Sequence, residues 1–372
     1  MAWNWQQNDW GNFRFDTHAL AAWEQRFAHA TGRLLGAFTH LSPDEQTLLN
    51  VEWVSNEALQ TSAIEGEYLN RDSVQSSIRR QFGLQNDERR VSPAEFGIAE
   101  MMVDLYTHFQ QPLSDTMLCH WHAMLMNGRR DLQQIGAYRT HSEPMQVVSG
   151  RIDNPTIHFE APPSNLVPAE MTRFIAWFNQ TQTTLPPLTR AGIAHLYFVC
   201  IHPFEDGNGR IARALAEKAL AQSLGQPSLI AFAHTIERHK KAYYHELTSA
   251  NQDNELNRWL AYFAQTVLNA VEYSIQQVTF LFSKTRLYDQ VRDKLNPRQA
   301  KVIARLFAEG IEGFHGGMSA KNYLSLTKTS RATATRDLQE LVELGALHKT
   351  GERKYARYCL NIPLCIQQLE SA

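Results

Sequence analysis

One stretch constrains this chain more than any other: His202-Pro203-Phe204-Glu205-Asp206-Gly207-Asn208-Gly209-Arg210-Ile211-Ala212-Arg213. An apolar run from Ile193 to Ile201 leads into it, and a helix-forming run from Ile211 to Leu224 leads out. The segment therefore reads as helix, tight loop, helix. Gly207 and Gly209 remove side chains, so a backbone can approach a ligand closely. The loop opens onto a helix N-terminus, where unpaired N–H groups and the macrodipole favour an anion. Arg210 and Arg213 are three apart and share a helix face beside that position. Their planar guanidinium forks suit phosphate. Asp206 is a hard oxygen ligand, suited to Mg²⁺ held jointly with phosphates. His202 has the one side chain here that ordinarily titrates near neutrality, which makes it the candidate general base. Phe204 reads as an anchor that pins the loop into the core. A capped helix start with solvated charges explains any one of these residues, but not the set.

The segment matches HPFx(D/E)GNGRxxR at every defined position, and on it the chain resembles the Fic family. The resemblance implies a mainly α fold, a Fic-type helical bundle with a β-hairpin flap, and transfer of AMP from ATP to a protein hydroxyl. The related Doc branch, a kinase, departs around the second glycine, where this chain keeps Gly209-Arg210. By the same resemblance ATP binds with Mg²⁺ at Asp206, and its phosphates lie over Gly207 to Arg213. Asn208 is expected to hold the α-phosphate, Arg210 the β and Arg213 the γ. His202 then removes the proton from a Ser, Thr or Tyr hydroxyl.

Three further elements gain meaning from the resemblance. Thr61-Ser62-Ala63-Ile64-Glu65-Gly66 matches the family's inhibitory pattern (S/T)xxxE(G/N); taken alone, Glu65 would be an ordinary exposed helical residue. In the family this Glu reaches the second motif arginine, here Arg213, where a carboxylate satisfies the cation and repels the nucleotide. Because it precedes the motif, it resembles the class with an N-terminal inhibitory helix acting in cis. Gly136-Ala137-Tyr138-Arg139 is similar to the family's GxYR element, and Tyr243, Tyr244 and Asn251 resemble residues that flank the nucleotide base. Two short β runs, 145–148 and 156–159, surround Ser149-Gly150-Arg151-Ile152-Asp153-Asn154-Pro155 and read as a hairpin. In the family this flap, here residues 145–159, docks a target protein as an added strand.

The rest of the chain supplies supporting structure. Trp3, Trp5, Trp10, Phe13 and Phe15 mark an irregular arm clipped onto the body. Amphipathic spacing predicts a helix from Thr17 to Phe38, and a capped start at Ser42-Pro43 predicts one running to about Glu57. Helices continue through 93–132, and a long one is expected from Leu256 to Phe282, followed by a charged connector over 283–295. Residues 296–360, three helices and a small hairpin, resemble a winged helix-turn-helix. Lys328, Arg331, Arg336, Lys349, Arg353, Lys354 and Arg357 supply local positive charge diluted by Glu340, Glu343 and Glu352, so DNA stands as one partner and protein as another. The expected domains are 1–85 with the inhibitory helix, 86–285 as catalytic core, and 290–372 as winged helix.

Composition sets limits. The formal net charge of −2 leaves no global field for nucleic acid or anionic membrane. No apolar run approaches the ~20 residues of a membrane span, so no membrane is expected. Cys119, Cys200, Cys359 and Cys365 form no CxxC pair, which argues against a zinc site or disulfide framework and favours a cytoplasmic home. Two alternatives stay open: removal of AMP, with Glu65 positioning water, and a DNA-binding regulator whose Fic domain senses a nucleotide. A homo-oligomer is also open.

Overall fold

The computed structural model describes residues 2–84, 90–151, 154–314 and 316–370. Ile152 and Asp153 of the expected hairpin turn, and the stretch beyond Leu84 where the first boundary was placed, lie outside the described residues, as does the side chain of Lys354. The chain divides into two compact units between Glu272 and Tyr273.

The first unit is helical. It holds α1 (Thr17–Thr39), α2 (Pro43–Ile64), α3 (Arg71–Gln81), α4 (Pro93–His108) and α5 (Asp115–Leu125). The hairpin follows, β1 (Gln146–Arg151) and β2 (Asn154–Glu160). After it come α6 (Val167–Gln180), α7 (Pro187–Ile201), α8 (Asn208–Leu224), α9 (Phe232–Arg238), α10 (Lys240–Ala250) and the first half of α11 (Asn257–Val291). The α7–α8 pair makes the most extensive helix–helix contact. Ala194, Leu196, Phe198 and Ile201 of α7 and Ile211, Leu215 and Ala219 of α8 are fully buried, so the loop between them hangs from a rigid pair. The N-terminal arm is irregular and tied down: Asn4 N–H bonds Asn251 O at 2.8 Å, and the Trp10 indole donates to Glu170 at 2.9 Å.

Two helices run longer than their sequences suggest. α2 does not stop near Glu57 but continues to Ile64, burying Ala58, Thr61, Ser62 and Ile64. Small and polar residues there weaken the apolar periodicity without leaving the buried face. α11 extends to Val291 rather than yielding to a connector at 283, because Leu287 and Val291, four apart, bury one stripe beneath the charged face.

The second unit contains α12 (Pro297–Ala308), α13 (Ala320–Thr327), α14 (Arg331–Glu343), β3 (Leu347–Thr350), β4 (Arg357–Leu360) and α15 (Pro363–Glu370). Strands β3 and β4 pair antiparallel. Its core gathers Val302, Ile303, Leu306, Tyr323, Leu338, Leu341 and Leu360. One buried carboxylate organises it: Asp337 accepts from Tyr323 Oη at 2.8 Å and Arg298 Nε at 2.8 Å. Among the described residues, no helix is long and apolar enough to cross a membrane.

Candidate active site

The site begins with a backbone feature. His202 caps the C-terminus of α7 at φ 51°, ψ 58°, a left-handed conformation that is costly for a side chain with a Cβ. Arg139 holds it there. This buried guanidinium donates from Nε to His202 O at 2.8 Å, from Nη1 to Ser164 Oγ at 2.8 Å and from Nη2 to Pro162 O at 2.5 Å. Its backbone N–H bonds Pro203 O at 2.9 Å. The sharp turn brings the imidazole back against the last turn of α7, with Nδ1 donating to Val199 O at 3.2 Å. That contact leaves Nε2 as the basic nitrogen. Burial pushes the His202 imidazole down to about 4, against the opposing pull of the Val199 carbonyl, so the ring is neutral and able to accept a proton at pH 7.

The loop is closed from within. Asn208 accepts from Phe204 N–H at 3.0 Å and donates to Phe204 O at 2.8 Å. The sequence expectation gave this amide to the α-phosphate. The structure puts one bond on each end of that amide, which leaves its second N–H uncommitted to Phe204. Gly207, at φ 79°, makes the turn into α8. The first intrahelical bond of α8 runs from Ile211 N–H to Gly207 O at 3.1 Å, and the N–H groups ahead of it form the anion-seeking end. Phe204 is fully buried and stacks on His122 with ring centroids 4.1 Å apart. Glu205 accepts from the Gln133 and Gln134 N–H groups at 2.9 and 3.1 Å, fastening the preceding loop.

Each charged group at this end already has an internal partner. Arg213 is 1% exposed and donates to Glu65 Oε1 at 2.8 Å, to Thr61 Oγ1 at 2.7 Å and to Thr61 O at 2.9 Å. Thr61 and Glu65, one turn apart at the end of α2, thus grip one guanidinium together. The Glu65 carboxylate lies over the start of α8: a Cβ on Gly209 would come within 2.3 Å of Glu65 Oε1. Only glycine lets an anion sit there. Arg210 pairs with Glu67 Oε2 at 2.6 Å. Asp206 Oδ2 pairs with Arg129 Nη1 at 2.6 Å, and Arg129 also holds Asp131. Burial alone would raise the Asp206 carboxyl, but the bonds from Arg129 and Gly207 and the Arg210 charge outweigh it and hold it below the usual carboxylate range. An ionised carboxylate beside a helix N-terminus fits a divalent cation shared with phosphates. No group of three or more His, Cys, Asp or Glu that would hold one unaided occurs among the described residues.

A cleft of about 640 Å³ joins these parts, lined by Glu65, His202, Gly209, Tyr243, Tyr244 and Asn251 together with the hairpin residues Val147, Val148, Ser149 and His158. The Tyr243 hydroxyl bonds His195 Nε2 at 2.9 Å, and burial holds that histidine neutral, down to about 3. Tyr244 Oη donates to Glu65 Oε2 at 3.4 Å. Asn251 accepts from Cys200 Sγ at 3.2 Å and braces the N-terminal arm. Asp206, Arg210 and Arg213 do not line this cleft. Sequence reasoning missed Glu67, Arg129 and the buried carboxyl pair beneath the site. In that pair Glu57 caps α9 through the Ala233 and His234 N–H groups at 2.6 and 3.3 Å and lies against Glu217 of α8. The sequence signal for Glu67 was its place two residues after Glu65; the others carried none.

Residues 112–220 match the Fic/DOC family, and residues 3–84 match a domain of unknown function, DUF4172. Protein adenylyltransferase fic-1 of Caenorhabditis elegans is 31% identical over 185 residues, 49% of this chain and 32% of that protein. Protein adenylyltransferase Fic of Drosophila virilis is 31% identical over 147 residues, 38% of this chain and 29% of that protein. The chain therefore spans about a third of the length of these curated relatives. Among solved structures, a Fic family protein from Desulfovibrio desulfuricans G20 superposes with TM-score 0.53 at 21% identity, covering 93% of this chain and 96% of that one. Fic-1 of C. elegans (residues 134–508) gives TM-score 0.51 at 22% identity, covering 72% and 76%. Residues 112–220, which include the motif loop and its helices, thus match the Fic/DOC family, on a fold shared with solved Fic family proteins.

Proposed function

We propose that this chain is an autoinhibited protein adenylyltransferase that moves AMP from ATP to a Ser, Thr or Tyr hydroxyl. The reading rests on one observation above all: the Glu65 carboxylate lies over Gly209 at the N-terminus of α8, in a cleft that also holds His202. A site that seats a carboxylate between an arginine and a helix N-terminus is built for a more highly charged anion. In the active state the N–H groups of Asn208, Gly209 and Arg210 face the phosphates, with Arg210 at the β- and Arg213 at the γ-phosphate. Tyr243, Tyr244 and Asn251 border the base. Asp206 is the residue that would hold Mg²⁺, which neutralises phosphate charge when bound. The acceptor oxygen attacks the α-phosphorus, the bond to the β-phosphate oxygen breaks, pyrophosphate leaves, and His202 Nε2 takes the hydroxyl proton. Fixed donors at the loop stabilise the charge that develops. The hairpin carries exposed Val147, Val148 and Ile157, at 39, 49 and 46% exposure, beside the cleft, which suits strand addition by a target segment.

Labelled AMP incorporation tests this. With α-labelled ATP, Glu65→Gly should incorporate far more label than wild type, and adding His202→Ala should abolish it. Equal labelling in all three proteins would defeat the mechanism. A second reading, removal of AMP, is favoured by Glu65 lining the same cleft as His202, where it can hold a water. Release of AMP from a modified protein by wild type and not by Glu65→Gly would establish it. For the second unit, the winged-helix reading makes α14 the recognition helix, and Arg331, Thr335 and Arg336 are exposed on it. A mobility shift lost in Arg331→Ala/Arg336→Ala would assign it to DNA.

A further inference from the structure

The hairpin changes register once. Val147 pairs with Phe159 and Val148 with Ile157, which leaves His158 as the extra residue of a β-bulge. A bulge releases its extra side chain from the alternation of the ladder and re-aims it. Here the imidazole turns onto the neighbouring strand, and His158 Nε2 lies 2.6 Å from the Oγ of exposed Ser149. Both residues line the cleft that holds His202 and Gly209. A serine hydroxyl is a weak nucleophile, and an imidazole within hydrogen-bond reach orients it. Nothing in the packing of a two-stranded hairpin calls for such a pair, since solvent is available to both partners.

We propose that Ser149 is a self-modification site, which accepts AMP from ATP bound in its own cleft, with His158 orienting its hydroxyl. The inference rests on the AMP-transfer reading above. A bond forms between Ser149 Oγ and the α-phosphorus, the bond from that phosphorus to the β-phosphate oxygen breaks, and pyrophosphate departs. The hydroxyl proton goes to His202 Nε2, the base of the transfer proposed above. Once modified, the hairpin carries an AMP group on a cleft-lining position, where it would hinder both a second nucleotide and a docking target.

The test uses the full chain as Glu65→Gly with ATP and Mg²⁺, measuring pyrophosphate release and locating AMP by tandem mass spectrometry of the digest. Ser149→Ala and His158→Phe are made in the same background. AMP on the peptide containing Ser149 is expected, lost in Ser149→Ala and formed at least about tenfold more slowly in His158→Phe. The fraction modified per minute should not change on dilution, because donor and acceptor share one molecule. AMP found only on other residues would overturn the Ser149 assignment and leave the transferase reading standing. A rate that rises with protein concentration would overturn the shared-cleft claim. No AMP on any residue, with no pyrophosphate released, would overturn both.

Discussion

Glu67 offers a quantitative test of the proposed restraint on Arg210. Its Oε2 lies 2.6 Å from Arg210 Nη1; the arginine side chain is 6% exposed and the glutamate 38%. A charge-assisted bond contributes about 1.5–3 kcal/mol when shielded. Half-exposure of the carboxylate brings this pair closer to the surface range, about 1 kcal/mol. A phosphate that binds Arg210 must displace that carboxylate, and about 1.4 kcal/mol corresponds to tenfold in affinity. Glu67→Gln keeps the shape and removes the charge, so ATP should bind about fivefold more tightly. Titration calorimetry in a His202→Ala background measures this without turnover. Glu65→Gly in the same background should tighten binding independently, because it frees a different arginine. If Glu67→Gln leaves the ATP affinity unchanged or weakens it, Glu67 is a surface pair with no part in the restraint, and the reasoning fails.

Further outcomes follow from groups beneath the site. His122 and His195 are buried neutral, pushed down to about 4 and about 3 by burial. Between pH 6.5 and 4 the unfolded chain binds protons that the native state refuses, so stability should fall with pH there, by up to about 2 kcal/mol per histidine at pH 5; urea midpoints at pH 7 and 5 check this. Burial raises Glu57 to about 7, and burial together with the charge of Glu57 raises Glu217 well above the usual range. The native state keeps protons that the unfolded chain releases above about pH 4.5, so wild type loses stability as pH rises through 4.5–7. Glu217→Gln should therefore melt higher than wild type at pH 8, by roughly 2–6 °C, with no gain near pH 4.5. Arg139→Ala should cost about 3 kcal/mol or more by leaving buried carbonyls unpaired at His202 and Pro162, and Arg139→Lys should not restore it because an ammonium lacks the fork. Chemical denaturation reads both variants.

What could be read from the sequence was what is local. The twelve residues 202–213 lie in one continuous stretch, and Thr61 with Glu65 lie one helical turn apart, so their neighbourhood was legible, although Glu65 stood out only through the family resemblance. Partners brought together by folding left no trace in either strand of sequence. Arg129 meets Asp206 across 77 positions, and Arg210 meets Glu67 across 143. Asn208 illustrates a different limit. Its presence in the motif was plain, but only the closed loop shows that its amide also bonds Phe204 at both ends. The end of α2 was misjudged because Ala58, Thr61 and Ser62 pack against the body without the large apolar side chains that mark a buried face. The same holds for α11, whose last turns are charged outside and anchored by Leu287 and Val291 within.

The most direct test of the central claim compares two labels in one protein. Glu65→Gly is incubated with Mg²⁺ and ATP labelled either at the α- or at the γ-phosphate, and protein-bound label is counted. The account predicts incorporation from the α label alone, with pyrophosphate released in equal amount, and little from either label in wild type. Incorporation from the γ label would make the reaction a phosphoryl transfer, and wild type labelled as strongly as Glu65→Gly would show that the Glu65–Arg213 contact restrains nothing.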